Sequence, residues 1–241
     1  MRALVISDIH GNIEALRALD AHWGPRLREF DRVICLGDLV DYGPDPGAVI
    51  DWMESHATNV VRGNHDHAVA TGESGRSAPA FLEASVVTRA RLQPTLSAHQ
   101  IAYLNALPLT DTVTEVGPSG DATWHLVHAS PIDPLYAYMP PTRTDEEWSK
   151  ALDGRNGQTV LIGHTHLAFV RSVADGVVIN PGSLGMPKDG EPHGSYAIID
   201  GRSVQFCRVV YDPEPVIARL RTLDLPAHVF DQLAQTFRTG T

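Results

Sequence analysis

The sequence predicts an α/β protein with a buried, partly parallel sheet, and three observations support this prediction. Residues 3–7 form a short apolar run of strand type, followed by a turn and then by apolar residues at helical spacing. The same order of strand, loop and helix recurs over residues 32–53. A third apolar strand precedes residues 63–66. Repeats of this kind are typical of βαβ units, whose parallel strands are covered by helices.

The other elements are predicted in chain order. The first helix covers residues 13–23 and is stopped by Gly24-Pro25. Residues 67–107 are mainly helical, with breaks at 72–79. Residues 110–116 and 124–127 alternate around a Gly-Pro-Ser-Gly turn, which predicts a hairpin. A proline-rich loop at residues 131–141 and a helix start at 144–147 then follow. Five strand-type runs are predicted at 159–162, 169–173, 177–179, 196–199 and 204–210, and two short helices from 213 onward.

Length and composition describe an ordinary globular chain. It has 241 residues, of which 43% are apolar and 20% charged. No apolar run approaches the roughly 20 residues of a membrane helix, and the chain turns polar at Ser7-Asp8, too early for a secretory signal peptide. Cys35 and Cys207 lie in strand-type runs, which predicts buried thiols in a reducing cytoplasm. We therefore expect one cytoplasmic domain over residues 1–241, with no membrane partner.

The charge balance restricts the partners further. Lys and Arg total 19 against 29 Asp and Glu, which gives a net charge of −10. A sequence-independent nucleic-acid binder needs a basic face, so an extended nucleic acid is not an expected partner. The same charge argues, at first sight, against any polyanionic substrate. The unusual feature of the composition is its 12 histidines.

Polar side chains cluster directly after five of the strand-type runs. Loops at the carboxyl ends of parallel strands open onto one crevice, so residues far apart in the chain are expected to meet there. Mixed nitrogen and oxygen donors suit Mn, Fe, Co, Ni or Zn, whereas Mg and Ca prefer all-oxygen ligands. The five clusters are Asp8-Ile9-His10, Gly37-Asp38, Gly63-Asn64-His65-Asp66, His128-Ala129-Ser130 and Gly163-His164-Thr165-His166.

These clusters differ in how specific they are. Asp-x-His and Gly-Asp also occur in ordinary turns and helix caps. Gly-Asn-His-Asp is more specific, because the turn itself does not require a histidine. In extended backbone, His164 and His166 would face the same side and form a clamp. The five clusters in this order indicate a metal site more strongly than any one of them alone.

With these motifs, and with Asn180-Pro181-Gly182-Ser183, the chain resembles the calcineurin-like metallophosphoesterases from residue 8 to about residue 185. It is most similar to their small bacterial phosphodiesterase branch. The resemblance implies an α/β/β/α sandwich, in which two mixed sheets lie face to face between helices. It also implies hydrolysis of a small phosphoester by a hydroxide that bridges two divalent transition-metal ions. Manganese is the first expectation for these ions, and Fe, Zn, Co and Ni are the alternatives.

The same resemblance assigns ligands to the two ions, with Asp38 bridging them. The first ion would be bound by Asp8, His10, Asp38 and His166. The second ion would be bound by Asp38, Asn64, His128 and His164.

His65 has no ligand role in this assignment. By resemblance it protonates the leaving oxygen or stabilises charge on the phosphoryl group. Asp41 resembles the aspartate that orients this histidine in the protein phosphatase and dinucleotide-polyphosphatase branches. Tyr42 replaces the arginine that follows the aspartate there, so a turn-forming role of Asp41 before Gly43-Pro44 stays open.

Several other residues have two open interpretations. Asn12 could donate to the substrate or cap the first helix, and Arg62 could contact a phosphate or form a structural ion pair. Tyr136 and Tyr138 could stack on a base or simply pack their loop. The helical insertion at about 67–107 and the loop at 131–141 are expected to shape the cleft. His67 and His193 could line the rim of the cleft. His125 lies inside a strand three residues before His128, so its side chain is expected to point to the opposite face.

We expect a phosphodiesterase that acts on a small soluble phosphorylated substrate, such as a nucleotide. Phosphomonoester hydrolysis and dinucleoside polyphosphate hydrolysis are alternatives, and a non-catalytic metal-binding scaffold on the same fold is the alternative from another class. A nuclease would need a basic groove, which the composition does not supply. A homo-oligomer stays open. Two bound cations would outweigh the charges of Asp8 and Asp38 locally, so a net charge of −10 does not exclude a phosphate.

Overall fold

In a computed structural model, residues 1–73, 76, 79–115, 122–155, 157–173 and 176–241 are described. Within them, the strands in chain order are β1 (Arg2–Ile6), β2 (Arg32–Cys35), β3 (Asn59–Val60), β4 (Thr110–Glu115), β5 (Ala122–Val127), β6 (Thr159–Leu161), β7 (Ala168–Val173), β8 (Gly176–Pro181), β9 (Gly194–Asp200) and β10 (Ser203–Val209). The α-helices are α1 (Ile13–Trp23), α2 (Pro46–His56), α3 (Asn64–Thr71), α4 (Pro79–Leu92), α5 (Ala98–Ala106), α6 (Asp145–Ala151), α7 (Glu214–Arg221) and α8 (Ala227–Thr239).

The strands form two mixed five-stranded sheets. The first has the order β10-β9-β1-β2-β3, in which β1, β2 and β3 are parallel. The second has the order β4-β5-β6-β8-β7, in which β5, β6 and β8 are parallel. In each sheet the antiparallel strands lie outside the parallel ones. The predicted partly parallel α/β arrangement is therefore confirmed.

Alternation along β1 shows how the layers are stacked. Ala3 and Val5 pack in a cluster with Trp124, Leu126 and other inward residues of the second sheet. Their neighbours on β1 face the other way and pack against helices α1 and α2. On the far side of the molecule, Trp148 of α6 covers the outer face of the second sheet. Because successive strand residues point to opposite faces, this alternation produces the expected α/β/β/α sandwich.

The helical predictions are confirmed with two adjustments. The first helix ends at Trp23 as expected, but a 3₁₀ helix continues through Gly24–Glu29, because proline is tolerated in a first helical turn. The insertion is helical but begins at Asn64, so the Gly-Asn-His-Asp motif forms the start of α3 rather than a loop. Thr144 caps α6, and the two terminal helices are present.

Some other predictions have mixed outcomes. β4 and β5 pair antiparallel as expected, whereas the turn at 117–120 lies outside the described residues. Both cysteines are free, but only Cys35 is buried. The prediction for Cys207 was wrong, because β10 is an edge strand and this residue stays partly exposed. No helix in the described part of the chain is long and apolar enough to cross a membrane.

Candidate metal centre and active site

The polar motifs meet at one edge of the sandwich, where parallel strands of both sheets end. Asp8 and Asp38 follow β1 and β2 in the first sheet, and His128 and His164 follow β5 and β6 in the second. Asn64 joins them from the first turn of α3. Hydrogen bonds across the edge include one from the His164 backbone amide to Asp8 Oδ2, at 3.1 Å. The two sheets therefore supply different sides of one site.

The first group of possible metal ligands consists of Asp8, His10 and His166. His10 Nε2 lies 3.2 Å from His166 Nε2, and His166 Nε2 lies 3.4 Å from Asp8 Oδ1. Asp8 and His10 are fully buried, and His166 is only 3% exposed. Asp8 Oδ1 has no hydrogen-bond partner among the described residues. A buried carboxylate oxygen in this condition is costly unless a cation binds it.

The second group consists of Asp38, His128 and His164. His128 Nε2 lies 3.2 Å from both Asp38 Oδ2 and His164 Nδ1. The Asn64 Oδ1 atom is 3.1 Å from the same nitrogen. Asp38 Oδ2 is also 3.7 Å from His10 Nε2. The Asp38 carboxylate therefore stands between the two groups.

Backbone hydrogen bonds determine which ring nitrogens are available to a metal. The Nδ1 atoms of His10, His128 and His166 lie 2.9, 2.7 and 2.5 Å from the carbonyl oxygens of Val40, Leu36 and Met186. A carbonyl only accepts, so each Nδ1 carries the hydrogen and a neutral ring presents a lone pair at Nε2. Two such lone pairs face each other in the first group and cannot hydrogen-bond to one another. A cation between them would satisfy both, so these residues fit a divalent metal.

The protonation states of three of these histidines agree with neutral, metal-binding rings, whereas His128 would have to lose a proton to bind a metal. Burial lowers the pKa of His10 and His166 well below the usual value, so both rings are neutral at pH 7. Burial also lowers the pKa of His164 to about 3. Burial lowers the pKa of His128 as well, but the adjacent Asp38 carboxylate outweighs it and raises that pKa to about 9. Desolvation raises the pKa of Asp8 to about 7.

The backbone at the site is unusual, because five of the proposed ligands have positive φ. A non-glycine residue in this region is uncommon and costs roughly 1–3 kcal/mol unless the surroundings impose it. The extended clamp predicted for His164 and His166 was wrong, because both residues are left-handed and join different groups. The five φ angles are 53° for Asp8, 48° for His10, 57° for Asp38, 65° for His164 and 61° for His166.

Asp66 holds the Asp38 loop in place, a role that the sequence did not reveal. Its carboxylate accepts hydrogen bonds from the backbone amides of Asp38 and Leu39, both at 2.8 Å, and of Gly63, at 2.9 Å. Burial raises the pKa of Asp66 to about 6. A side chain at Gly63 would place its Cβ 2.1 Å from Asp38 Oδ1, so this position accepts only glycine. The sequence signal for Asp66 was the acidic residue three positions after Gly63 at a helix start.

The segment Asn180-Pro181-Gly182-Ser183 holds two loops of the site together by hydrogen bonds. Asn180 Nδ2 donates to the Gly163 carbonyl at 2.7 Å, and Ser183 Oγ donates to the Asp8 carbonyl at 2.6 Å. Both side chains are fully buried. This segment therefore ties the loop after β6 to the loop after β1, although it contributes no proposed ligand.

His65 lies beside the two groups and is oriented by Asp41. Its Nδ1 donates to Asp41 Oδ2 at 2.7 Å, and its Nε2 lies 4.0 Å from Asp38 Oδ2. Asp41 is also held by Arg89 of α4, whose Nε lies 3.3 Å from Oδ1 and whose Nη2 contacts Oδ2. The Tyr42 hydroxyl is 3.4 Å from His65 Nε2. Of the two interpretations left open for Asp41, the structure shows the pairing with His65.

A cleft of about 730 Å³ opens above these residues. The start of α4, with Phe81, forms one part of its wall, and the proline-rich loop, with Tyr136 and Tyr138, forms another. Both segments expected to shape the cleft therefore line it. The Tyr138 ring lies 6.0 Å from the His164 ring. Lys188, which the sequence did not single out, also lines the cleft.

Two residues with open interpretations have structural partners outside the cleft. Asn12 accepts from Ala15 N at the start of α1 and donates to the Gly185 carbonyl at 2.7 Å, so it is a helix cap. Arg62 donates to the backbone carbonyl of Leu107 at 3.1 Å and to that of Asn105, so it closes the end of α5.

Three other histidines discussed above, His67, His193 and His125, are not among the residues described as lining the cleft. His67 lies 3.4 Å from Glu73 Oε2 and next to Arg62. His193 likewise stays outside the cleft. His125 lies on β5 between two inward-facing residues, so it points to the opposite face, as expected.

Comparison with known proteins identifies the family. The calcineurin-like phosphoesterase superfamily domain matches residues 1–203. The chain belongs to the calcineurin-like phosphoesterase superfamily. The chain is 28% identical to an uncharacterized protein of Methanocaldococcus jannaschii over 247 residues, which cover 95% of this chain and 96% of that one.

Two solved structures support the assignment. A metallophosphoesterase from Sphaerobacter thermophilus is 29% identical, with a TM-score of 0.76 and coverage of 100% of this chain and 99% of that chain. A hypothetical protein from Pyrococcus horikoshii OT3 has the same fold, with 22% identity, a TM-score of 0.79 and coverage of 96% and 97%. The resemblance inferred from the motifs is thereby confirmed, and the family together with the histidine and aspartate clusters of this chain indicates divalent metal ions.

Proposed function

We propose that this protein is a phosphodiesterase that hydrolyses a small phosphoester with two divalent transition-metal ions. The observation that carries the proposal is the position of Asp38, whose carboxylate stands between two groups of ligand atoms at the floor of the cleft. The mixed nitrogen and oxygen donors suit Mn, Fe, Co, Ni and Zn, of which we propose manganese first and keep the others as alternatives.

The ligand assignment follows the two groups. Asp8, His10 and His166 would hold one ion, His128, His164 and Asn64 would hold the other, and Asp38 would contact both. When bound, the two ions would polarise the phosphoryl oxygens and lower the pKa of a water between them. The neutral Asn64 amide adds a ligand without adding negative charge to the centre.

His65 is proposed to protonate the leaving oxygen. Its Nδ1–H donates to Asp41, which fixes the ring and leaves Nε2 directed toward the cleft. Arg89 balances the charge of the buried Asp41 carboxylate. A positioned acid of this kind typically contributes 10²–10⁴-fold to turnover.

The cleft supports a substrate with an organic group beyond the phosphate. A volume of about 730 Å³ lies within the range of small-molecule sites and far exceeds the needs of a phosphate alone. Aromatic side chains stand on two parts of its wall, Phe81 on α4 and Tyr136 and Tyr138 on the loop. A diester carries an organic group on each side of phosphorus, which matches a cleft with two such surfaces.

The test is a substrate panel on metal-stripped protein reloaded separately with Mn, Co, Ni, Zn and Mg. The panel contains bis(p-nitrophenyl) phosphate, p-nitrophenyl phosphate and a dinucleoside tetraphosphate. We expect the manganese-loaded protein to hydrolyse the diester with the highest kcat/KM. Preference for the monoester or the dinucleotide would overturn the diesterase assignment. Bound metals with no hydrolysis of any substrate would favour a non-catalytic scaffold.

A further inference from the structure

Lys188 is a cation in the cleft that the proposed chemistry does not use. It lies in the loop after β8, two residues beyond Met186, whose carbonyl fixes His166. Its Nζ is 4.3 Å from the centre of the Phe81 ring and 5.7 Å from that of Tyr42. These rings hold the ammonium group by cation–π contacts, one from the start of α4 and the other from the loop after β2. The side chain is therefore fixed against a wall of the cleft.

The ammonium group has unused hydrogen-bonding capacity. It carries three donors, yet no hydrogen bond and no carboxylate within 4.0 Å satisfies them among the described residues. Burial lowers the pKa of Lys188 to about 8, against the opposing influence of the Asp8 and Asp38 carboxylates. At pH 7 the group is thus a partly buried cation that faces the same cleft as the proposed metal ligands.

The other lysine of the chain shows the contrast. Of the 19 basic residues, only Lys150 and Lys188 are lysines. Lys150 lies on the exposed surface of α6 and pairs with Glu146 at 2.8 Å. Lys150 therefore offers a matched control, because its removal changes the net charge equally without touching the cleft.

We propose that Lys188 binds a negatively charged phosphoryl oxygen of the substrate and thereby strengthens binding of the more highly charged phosphate species. This inference rests on the proposed function, since it assigns a partner to the phosphate at that site. A monoester dianion carries one more negative charge than a diester monoanion. Loss of the cation should therefore weaken binding of inorganic phosphate and monoesters more than binding of diesters.

The experiment compares Lys188→Met, Lys188→Arg and Lys150→Met in manganese-loaded protein, with inorganic phosphate as the probe. Calorimetry should show the Kd for phosphate rising about tenfold or more in Lys188→Met, because a charge-assisted hydrogen bond is lost. Lys188→Arg should keep most of the affinity, and Lys150→Met should match the wild type. The ratio of kcat/KM for the diester over the monoester should rise in Lys188→Met. An unchanged Kd in Lys188→Met, with two metals bound, would overturn the inference.

Lysine labelling of the wild type keeps the inference testable if the methionine variant binds metal poorly. An amine-directed reagent followed by peptide mapping should show that phosphate protects Lys188 and leaves Lys150 reactive. Equal reactivity of Lys188 with and without phosphate would contradict the proposal. Protection without hydrolysis of any phosphoester would leave the phosphate contact standing and remove the proposed enzymatic function. Phosphoester hydrolysis and phosphate binding that are both unaffected by Lys188→Met would keep the proposed enzymatic function and remove the phosphate contact of Lys188.

Discussion

His65→Gln separates the proposed acid from the metal centre. The His65 backbone amide donates to Asp38 Oδ1 at 2.9 Å, and this bond survives the substitution. The imidazole Nε2 lies 4.0 Å from Asp38 Oδ2, which is beyond hydrogen-bond distance. Asp41 keeps its pairing with Arg89 when the ring is removed. We therefore expect two metals to stay bound while proton donation to the leaving group is lost.

The contacts set the magnitude of the effect. Loss of a positioned acid should lower kcat by about 10²–10⁴-fold, which corresponds to roughly 3–5 kcal/mol of transition-state stabilisation. Loss of the hydrogen bond to Asp41 should lower the free energy of unfolding by only about 1–2 kcal/mol, because Arg89 still satisfies that carboxylate. The defect should therefore appear in turnover rather than in folding.

The assay measures kcat with a dinucleoside monophosphate, a diester whose alkoxide leaving group needs a proton, because p-nitrophenolate can leave without one. Metal content is measured by mass spectrometry and stability by unfolding in urea. His67→Gln is the matched control, because His67 lies on the same helix and outside the described cleft lining. We expect this control to keep wild-type turnover. Turnover of His65→Gln within threefold of the wild type, at full metal content, would refute the role of the acid. Loss of metal from this variant would show that His65 is structural instead.

Three further predictions concern the residues around the acid. Arg89→Met should lower the free energy of unfolding in urea by about 3–5 kcal/mol, because it leaves the buried Asp41 carboxylate without its ion pair, and Arg89→Lys should restore part of this loss. Equal stability of both variants and the wild type would contradict the pairing of Arg89 with Asp41. Asp38→Asn, which retains the left-handed conformation that asparagine tolerates, should weaken binding of both ions, and loss of only one would show that Asp38 does not bridge them. Lys188 loses its charge above its pKa of about 8, and two cations bound by the nearby Asp8 and Asp38 carboxylates would lower this pKa further. KM for a monoester should therefore rise with pH at or below pH 8 in the metal-loaded protein, whereas Lys188→Arg should show no such rise.

The convergence of the motifs was predictable from the sequence, because it depends on a general property of parallel strands. Asp8 and His128 each stand directly after a buried apolar run, so the carboxyl ends of the strands bring them to one edge whatever the details of the sheets. In the structure, alternate residues of β1 face opposite sides. Ala3 and Val5 pack against the second sheet, and Leu4 and Ile6 pack against helices, so one apolar strand serves both layers.

Features that depend on packing between distant elements were not predictable in the same way. Arg89 reaches Asp41 from α4, and the two residues are 48 positions apart in the chain. Lys188 is isolated in sequence from the rings that hold it. The local backbone was not predictable either. Side-chain periodicity alone predicts an extended segment at His164 and His166, whereas both residues have the left-handed conformation, which persists only where the surrounding structure imposes it.

The central claim is that two metal ions share the Asp38 carboxylate at the floor of the cleft. The most direct test is a crystal structure of manganese-loaded protein with anomalous scattering recorded at the manganese edge. We predict two anomalous peaks per chain, about 3.5–4 Å apart, with an Asp38 oxygen bound to both. A single peak, or two peaks that do not share Asp38, would contradict it.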